Sequence, residues 1–164
     1  MKTNLPIDHF KCPLNKNTFV IKDIREWVEK YCEGKVLNLF AGKTILAVDE
    51  IRNDLNVNIP ADFHMDALNF VKTWKGEKFD TVILDSPYSQ RKSMEMYEGI
   101  ICSPFKQLKD EIPRILNLNG IVITFGYHMV SLGKVRGFVG VRGAVFSHGG
   151  AIHDTIAIIE RKIQ

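Results

Sequence analysis

The stretch at residues 79–89 reads FDTVILDSPYS, and its end is abrupt. Val82, Ile83 and Leu84 form an uninterrupted apolar run, and Asp85, Ser86, Pro87 and Tyr88 follow it with no spacer. Those four residues offer complementary groups. Asp85 brings a carboxylate, an acceptor with two oxygens. Pro87 disfavours helical backbone in the residue before it, so Ser86 is expected to be extended, with its carbonyl aimed in one direction. Tyr88 adds a flat ring on which another ring can stack. A buried strand that ends this way is expected to deliver two fixed acceptors and an aromatic plane to a ligand. The plainer alternative is a strand-to-loop turn with an Asp cap and a buried tyrosine.

Such groups need a frame. Residues 19–32, FVIKDIREWVEKYC, set Ile21, Ile24, Trp27, Val28 and Tyr31 at helical spacing, with Asp23 and Glu26 early, Lys30 late and Gly34 as a stop. KVLNLFAG predicts a buried strand closed by Gly42. EIRNDLN predicts a short strand ending at Asp54. Alternatively TILAVDEIRNDL is itself a helix, with Ile45, Val48, Ile51 and Leu55 on one side. ADFHMDALNFVKTW predicts a short edge segment, then a helix carrying Ala67, Phe70, Val71 and Trp74. Residues 92–117 predict one or two helices broken near Pro104 and Pro113, and Asn119-Gly120 a turn. IVITFGYH, GAVFSH and DTIAIIERK are further strands, the last two joined through Gly149-Gly150.

Strands alternating with helices, with continuous apolar runs, predict an α/β fold with a mostly parallel sheet covered on both faces. The last two strands are too close for a crossover helix and should form an antiparallel hairpin at one edge. Open sheets of this kind take ligands beyond the carboxyl ends of their strands. That puts Ala41-Gly42, Asp54, Asp66, Asp85–Tyr88 and Gly126–His128 on one rim.

The chain of 164 residues, 45% hydrophobic and 25% charged, suits one soluble domain spanning residues 1–164. No apolar run reaches the roughly 18–20 residues needed to cross a bilayer. The N-terminus has no signal-peptide segment, so a cytoplasmic location is expected. The three cysteines stand far apart without a C-x-x-C pair, so neither a disulfide framework nor a metal site is expected. His9-x-x-Cys12 is half of a metal motif without a second half. Net charge is +3, which suits a weak polyanion partner rather than the dense basic face of a committed duplex binder. Lys134, Arg136 and Arg142, in the glycine-rich stretch 133–143, are either phosphate contacts or a solvated loop. Gln90, Arg91 and Lys92, just after the DSPY loop, are better placed to meet a nucleic-acid backbone.

VLNLFAG followed by DSPY resembles the class I S-adenosylmethionine-dependent methyltransferases, within them the amino-methyltransferases with a D-P-P-Y or N-P-P-Y signature, and most of all the adenine-N6 group. The resemblance runs from about Thr18 to the final strand. It implies a Rossmann-like sheet with an antiparallel C-terminal hairpin, S-adenosylmethionine as cofactor, a nucleic-acid partner and no metal. In NLFAGKT, the F-x-G form of Phe40, Ala41 and Gly42 matches the loop that meets the methionine part of the cofactor. Asn38 stands where the family usually has an acid, and Thr44 where it has a further glycine. The resemblance makes Asp54 the acid for the ribose hydroxyls, or Asp62 if residues 44–55 are helical. It makes Asp66 the acceptor for the cofactor's adenine amine, with the Ala67 backbone beside it. Asp66 is also good helix-capping chemistry. Thr18 matches the motif that closes over the cofactor's carboxylate, or else caps the first helix.

On this resemblance the DSPY loop has a reaction to perform. An exocyclic adenine amine is a poor nucleophile because its lone pair is delocalised into the ring. Acceptors on both of its hydrogens, the Asp85 carboxylate and the Ser86 carbonyl, favour the tetrahedral nitrogen that attacks a methyl group. Tyr88 would stack on the flipped base, worth ~1–3 kcal/mol. Ser86 replaces the family's usual first proline, but Pro87 still restrains Ser86. Cytosine N4, guanine N2 and protein glutamine are alternative planar amines, though relatives acting on them more often begin the loop with Ser or Asn. His148 and His153, in SHGGAIHDT, either line the target pocket or form a polar turn. Asn38, Thr44 and Ser86 also suit a non-catalytic nucleotide-binding relic. The absence of G-x-G-x-x-G speaks against a dinucleotide oxidoreductase. No segment is long enough for a separate target-recognition domain.

Overall fold

A computed structural model describes residues 4–86, 105–150 and 152–164. Its elements in chain order are β1 (Ile7–Lys11), a 3-10 turn (Thr18–Val20), α1 (Lys22–Tyr31), β2 (Val36–Asn38), β3 (Glu50–Arg52), α2 (Ala67–Thr73), β4 (Phe79–Leu84), α3 (Phe105–Ile115), β5 (Leu116–Gly126), a 3-10 turn (Lys134–Arg136), β6 (Phe138–Ser147) and β7 (Thr155–Lys162). The seven strands form one sheet in the order β1-β6-β7-β5-β4-β2-β3. Neighbours are parallel except where β7 meets β5 and β6. β7 therefore runs against the other six strands, whose carboxyl ends share one rim.

The apolar run of β4 reads without alternation because both of its faces are buried. Ile83 joins a cluster with Phe19, Ile24, Trp27 and Val28 on the α1 side. Val82 and Leu84 join Phe70, Val71, Leu108 and Ile112 on the side of α2 and α3. Residue 85 is the first position at which the chain leaves this double cover.

The expected mostly parallel sheet with helices and a terminal hairpin is present, and the hairpin is β6–β7. It is not the edge. β1 pairs outside β6, from Ile7↔Gly143 to Lys11↔Ser147. IDHFK carries too little apolar pattern to be read as a strand. It is held by Phe10 stacked on Phe146 at 4.9 Å and by Asp8, which accepts from Trp27 Nε1 at 2.8 Å and from Arg142 Nη1 at 2.9 Å.

Three further expectations change. Asn119-Gly120 is not a turn between elements but an irregularity inside β5. Asn119 has φ 65°, and the pairing jumps from Phe79↔Leu116 to Thr81↔Ile121, as in a bulge. Pro113 does not break a helix: it lies in the last turn of α3, and its carbonyl accepts from Lys162 Nζ at 2.7 Å. The basic stretch 133–143 is mostly β6, not a flexible loop. The helices expected around residues 92–104 and the break near Pro104 lie outside the described residues. Among the described residues, no helix is long and apolar enough to cross a membrane.

Asp80 ties three elements together. Its Oδ2 accepts from the Lys35 N–H at 3.0 Å and its Oδ1 from Asn117 Nδ2 at 2.9 Å. Gly34, at φ 50°, makes room for that carboxylate, because a Cβ there would run into it. The Lys35 N–H, then the Asn117 amide, hold the Asp80 carboxyl below its ordinary pKa. A depressed folded pKa stabilises the fold above the unfolded value and loses that stabilisation as pH falls through the folded one. Asp80→Ala is therefore expected to lower the urea midpoint at neutral pH. Its deficit relative to the unsubstituted chain should shrink as pH drops below the ordinary carboxylate range, as followed by denaturant titrations across pH.

Candidate active site

β2 ends at Asn38, and the chain turns through Leu39, Phe40 and Ala41 to Gly42. The turn is fastened to the end of β3: Ala41 N donates to Asn53 O at 3.0 Å and Asn53 N to Asn38 O at 2.9 Å. Gly42 has φ 61°, a conformation that suits glycine. A Cβ built on it would meet no atom within 4 Å, so the backbone here borders open space. The Gly42 N–H donates to Asp54 Oδ2 at 2.9 Å, and Asp54 Oδ1 accepts from Asn56 N at 2.9 Å. Asp54 is 4% exposed, and each of its oxygens keeps a second lone pair for a ligand.

A shallow cleft opens over this turn, lined by Asn17, Thr18, Phe19, Phe40, Ala41, Gly42, Lys43, Thr44, Asp54 and Asp85. Four segments distant in sequence thus converge: residues 17–19, residues 40–44, Asp54 and Asp85. Among the expected site residues the cleft collects Thr18, Phe40, Ala41, Gly42, Asp54 and Asp85. Thr18 starts a 3-10 turn and does not cap α1, whose N-cap is Ile21.

The other expected residues stand apart from this lining. Asn38 is 0% exposed and its Nδ2 donates to Glu50 Oε2 at 3.1 Å. Asp66 caps α2 by accepting from Asn69 N at 3.2 Å, and Ala67 is buried beside it. Ser86 is buried directly after Asp85. Pro87, Tyr88, Gln90, Arg91 and Lys92 lie outside the described residues. Residues 50–52 form β3, not the alternative helix, and Asp62 is spent on the Arg52 N–H at 2.8 Å.

Sequence reasoning missed the group that shapes the loop. The guanidinium of Arg52 donates from Nη2 to Gly42 O at 2.6 Å, from Nη1 to Thr44 O at 2.8 Å and from Nε to Pro60 O at 3.0 Å. Nη1 also meets Glu50 Oε1 at 2.7 Å, in a pair whose side chains are 7% and 4% exposed. Glu50 further accepts from Leu46 N at 3.0 Å. The pattern explains Asn38, since an acid there would face the buried Glu50 carboxylate, whereas an amide gives it a donor. Asn53 adds a second clamp, donating from Nδ2 to Leu39 O at 3.2 Å and to Met65 O at 2.9 Å. Charged residues two apart on a short edge strand ordinarily signal a solvated face, so no local pattern marks them as buried.

The hairpin histidines play different parts. His148 Nδ1 lies 3.2 Å from Cys12 O and Nε2 2.9 Å from Thr155 Oγ1, which joins β1 to the hairpin. His153 stacks on Tyr127, at the end of β5, with centroids 5.1 Å apart. The basic candidates are committed elsewhere: Arg136 to Asp110 at 2.7 Å and Arg142 to Asp8 at 2.9 Å. Lys134 and Arg136 precede Phe138, which pairs with Lys162 at the end of the sheet opposite the cleft.

Removing the guanidinium strands a buried carboxylate and three carbonyls. Arg52→Met is expected to cost ~3–5 kcal/mol in chemical denaturation. Glu50→Gln with Arg52→Met should cost less than the sum of the two single changes, as a double-mutant cycle would show.

No protein-family model matches the chain, and no curated protein matches it. Solved structures do. A SAM-dependent methyltransferase from Archaeoglobus fulgidus superposes with a TM-score of 0.60 at 11% identity, covering 86% of this chain and 94% of that one. The 1,6-didemethyltoxoflavin-N1-methyltransferase of Burkholderia thailandensis, solved with 1,6-didemethyltoxoflavin and S-adenosylhomocysteine, gives 0.59 at 12% identity, covering 87% and 78%. TrmN from Thermus thermophilus gives 0.58 at 15% identity, covering 91% of this chain and 50% of its own. At such identities the likeness establishes the fold these proteins share.

Proposed function

We propose that the chain is an S-adenosylmethionine-dependent methyltransferase acting on the exocyclic amine of a nucleic-acid base, adenine N6 first. The convergence of Gly42, Asp54, Thr18 and Asp85 on one cleft carries this reading, and the shared fold supports it. The residues fit the cofactor. Gly42 leaves space where a ligand can lie against backbone, and Asp54 presents a buried two-oxygen acceptor suited to a ribose diol. Thr18 and the Phe40–Gly42 turn line the same space, with Asp66 and Ala67 assigned to the adenine end. When bound, S-adenosylmethionine supplies an electrophilic methyl group on a sulfonium whose thioether is the leaving group.

The chain's own part is to prepare the nucleophile. The Asp85 carboxylate and the Ser86 carbonyl each accept one amine hydrogen, which draws the nitrogen lone pair out of the ring and toward the methyl carbon. As the N–C bond forms, Asp85 holds the proton that the amine gives up. Pro87 aims the Ser86 carbonyl, and Tyr88 stacks on the base. A carboxylate at position 85 favours adenine.

A second reading has its own observation. Arg136 and Arg142 are paired with acids, and Lys134 lies at the opposite end of the sheet. Among the described residues the cleft lining carries a single cation, Lys43, rather than a basic strip, which favours methyl transfer to the amine of a small heterocycle.

Labelled S-adenosylmethionine should be incubated with separate pools of duplex DNA, single-stranded DNA, tRNA, rRNA and free nucleobases. Nucleoside mass spectrometry should then find N6-methyladenine in a polymer pool. Asp85→Asn is expected to slow transfer at least ~10²-fold while leaving cofactor affinity within a few-fold. Asp54→Ala is expected to weaken cofactor binding about tenfold in calorimetry. Methylguanosine or methylcytidine as the sole product would overturn the adenine assignment. Label only in the free bases would favour the second reading, and cofactor binding with no transfer would identify a relic.

A further inference from the structure

The cleft lining includes one residue that neither the motifs nor the proposed chemistry uses. Lys43 stands between Gly42 and Thr44, is exposed, and has no hydrogen-bond or ion-pair partner among the described residues. The guanidiniums nearby are spent. Arg52 is consumed by Gly42 O, Thr44 O, Pro60 O and Glu50, and Arg25 donates to Phe19 O at 3.1 Å. Lys43 is therefore the uncommitted cation of the described cleft.

Its base is also held in place. The carbonyls on either side of it are pinned by Arg52 at 2.6 and 2.8 Å. That fixes the backbone from which the lysine stem rises, and it takes two acceptors that would otherwise compete for the ammonium. The same lining includes Asn17 and Thr18, with an amide and a hydroxyl.

The charges of the lining match one kind of ligand. The lining residues include two acids, Asp54 and Asp85, and one lysine, Lys43. S-adenosylmethionine carries two positive centres, the sulfonium and the α-ammonium, and one negative centre, the α-carboxylate. Either aspartate would repel that carboxylate, whereas Lys43 attracts it.

Resting on the cofactor reading above, we propose that Lys43 is the binding residue for the cofactor's α-carboxylate, so that the cleft selects for ligands that keep this group. The test compares S-adenosylmethionine with decarboxylated S-adenosylmethionine, which retains the sulfonium and the amine. Calorimetry with the unsubstituted chain should show the complete cofactor bound more tightly. Lys43→Ala should weaken S-adenosylmethionine about five- to tenfold, the worth of a partly exposed charge pair, and leave the decarboxylated ligand within twofold. Lys43→Arg should restore most of the preference. Raising NaCl from about 0.05 to 0.5 M should narrow it in the unsubstituted chain, because solvent-exposed charges are screened.

Equal weakening of both ligands in Lys43→Ala, or no weakening of either, would overturn this assignment while leaving the cofactor reading intact. Failure of the unsubstituted chain to bind either ligand would overturn the cofactor reading and this inference with it. Lys43 is solvent-exposed, so an unchanged thermal midpoint in the variants should confirm that binding, not folding, has been altered.

Discussion

The buried guanidinium of Arg52 is the fixture on which the cleft depends. A strand-to-strand connection that leaves a parallel sheet ordinarily returns through a helix, which satisfies its own backbone. Here residues 39–49 return without one, so their carbonyls need partners from elsewhere. Arg52 supplies two of those bonds, to Gly42 O and Thr44 O, adds a third to Pro60 O, and has its charge balanced by Glu50 at 2.7 Å. Buried ion pairs are poor evidence of stability in themselves, since desolvation offsets much of the attraction. Their use here is geometric. One planar fork sets the positions of Gly42, Thr44 and Pro60 together, which a set of separate contacts would not do.

The sheet turns that local order into a site. β4 is covered on both faces, by α1 on one side and by α2 and α3 on the other, and it cannot slide without exposing an apolar side chain. Its last residue therefore presents Asp85 at a fixed height. β2 and β3 sit beside it in parallel register, Asn38 level with Ile83 and with Arg52. The glycine turn, the β3 acid and the β4 acid consequently share the rim. Each belongs to a different segment, and none needs a long side chain to reach the cleft.

The signals legible in the sequence were those carried by dense patterns. VLNLF and FDTVIL were readable as buried strands because both faces are apolar, and α1 because Ile24, Trp27 and Val28 recur at helical spacing. The rim followed from topology alone. What escaped was set by single long-range contacts. β1 has one inward ring, Phe10, and one inward acid, Asp8, and no periodicity reveals that they meet Phe146 and Arg142. Asn119-Gly120 has the composition of a turn and the left-handed φ of one, but strand pairing continues around it. Glu50 and Arg52 look like surface charges in any local window. Only the fold shows that they face a loop with carbonyls to satisfy.

The same network changes the weight of the departures from the family pattern. Asn38 and Thr44 look, in the sequence, like the decay of a cofactor loop. In the structure Asn38 is the donor that a buried Glu50 requires, and Thr44 is one of the points where Arg52 holds the chain. Both are thus tied into one hydrogen-bonded cluster around Arg52 and Glu50, Asn38 through its side-chain amide and Thr44 through its backbone carbonyl, with Asn38 Oδ1 left without a partner among the described residues. The Asn38 departure therefore has a structural reason in the charge of Glu50, one that a reading of the loop by motif alone does not contain.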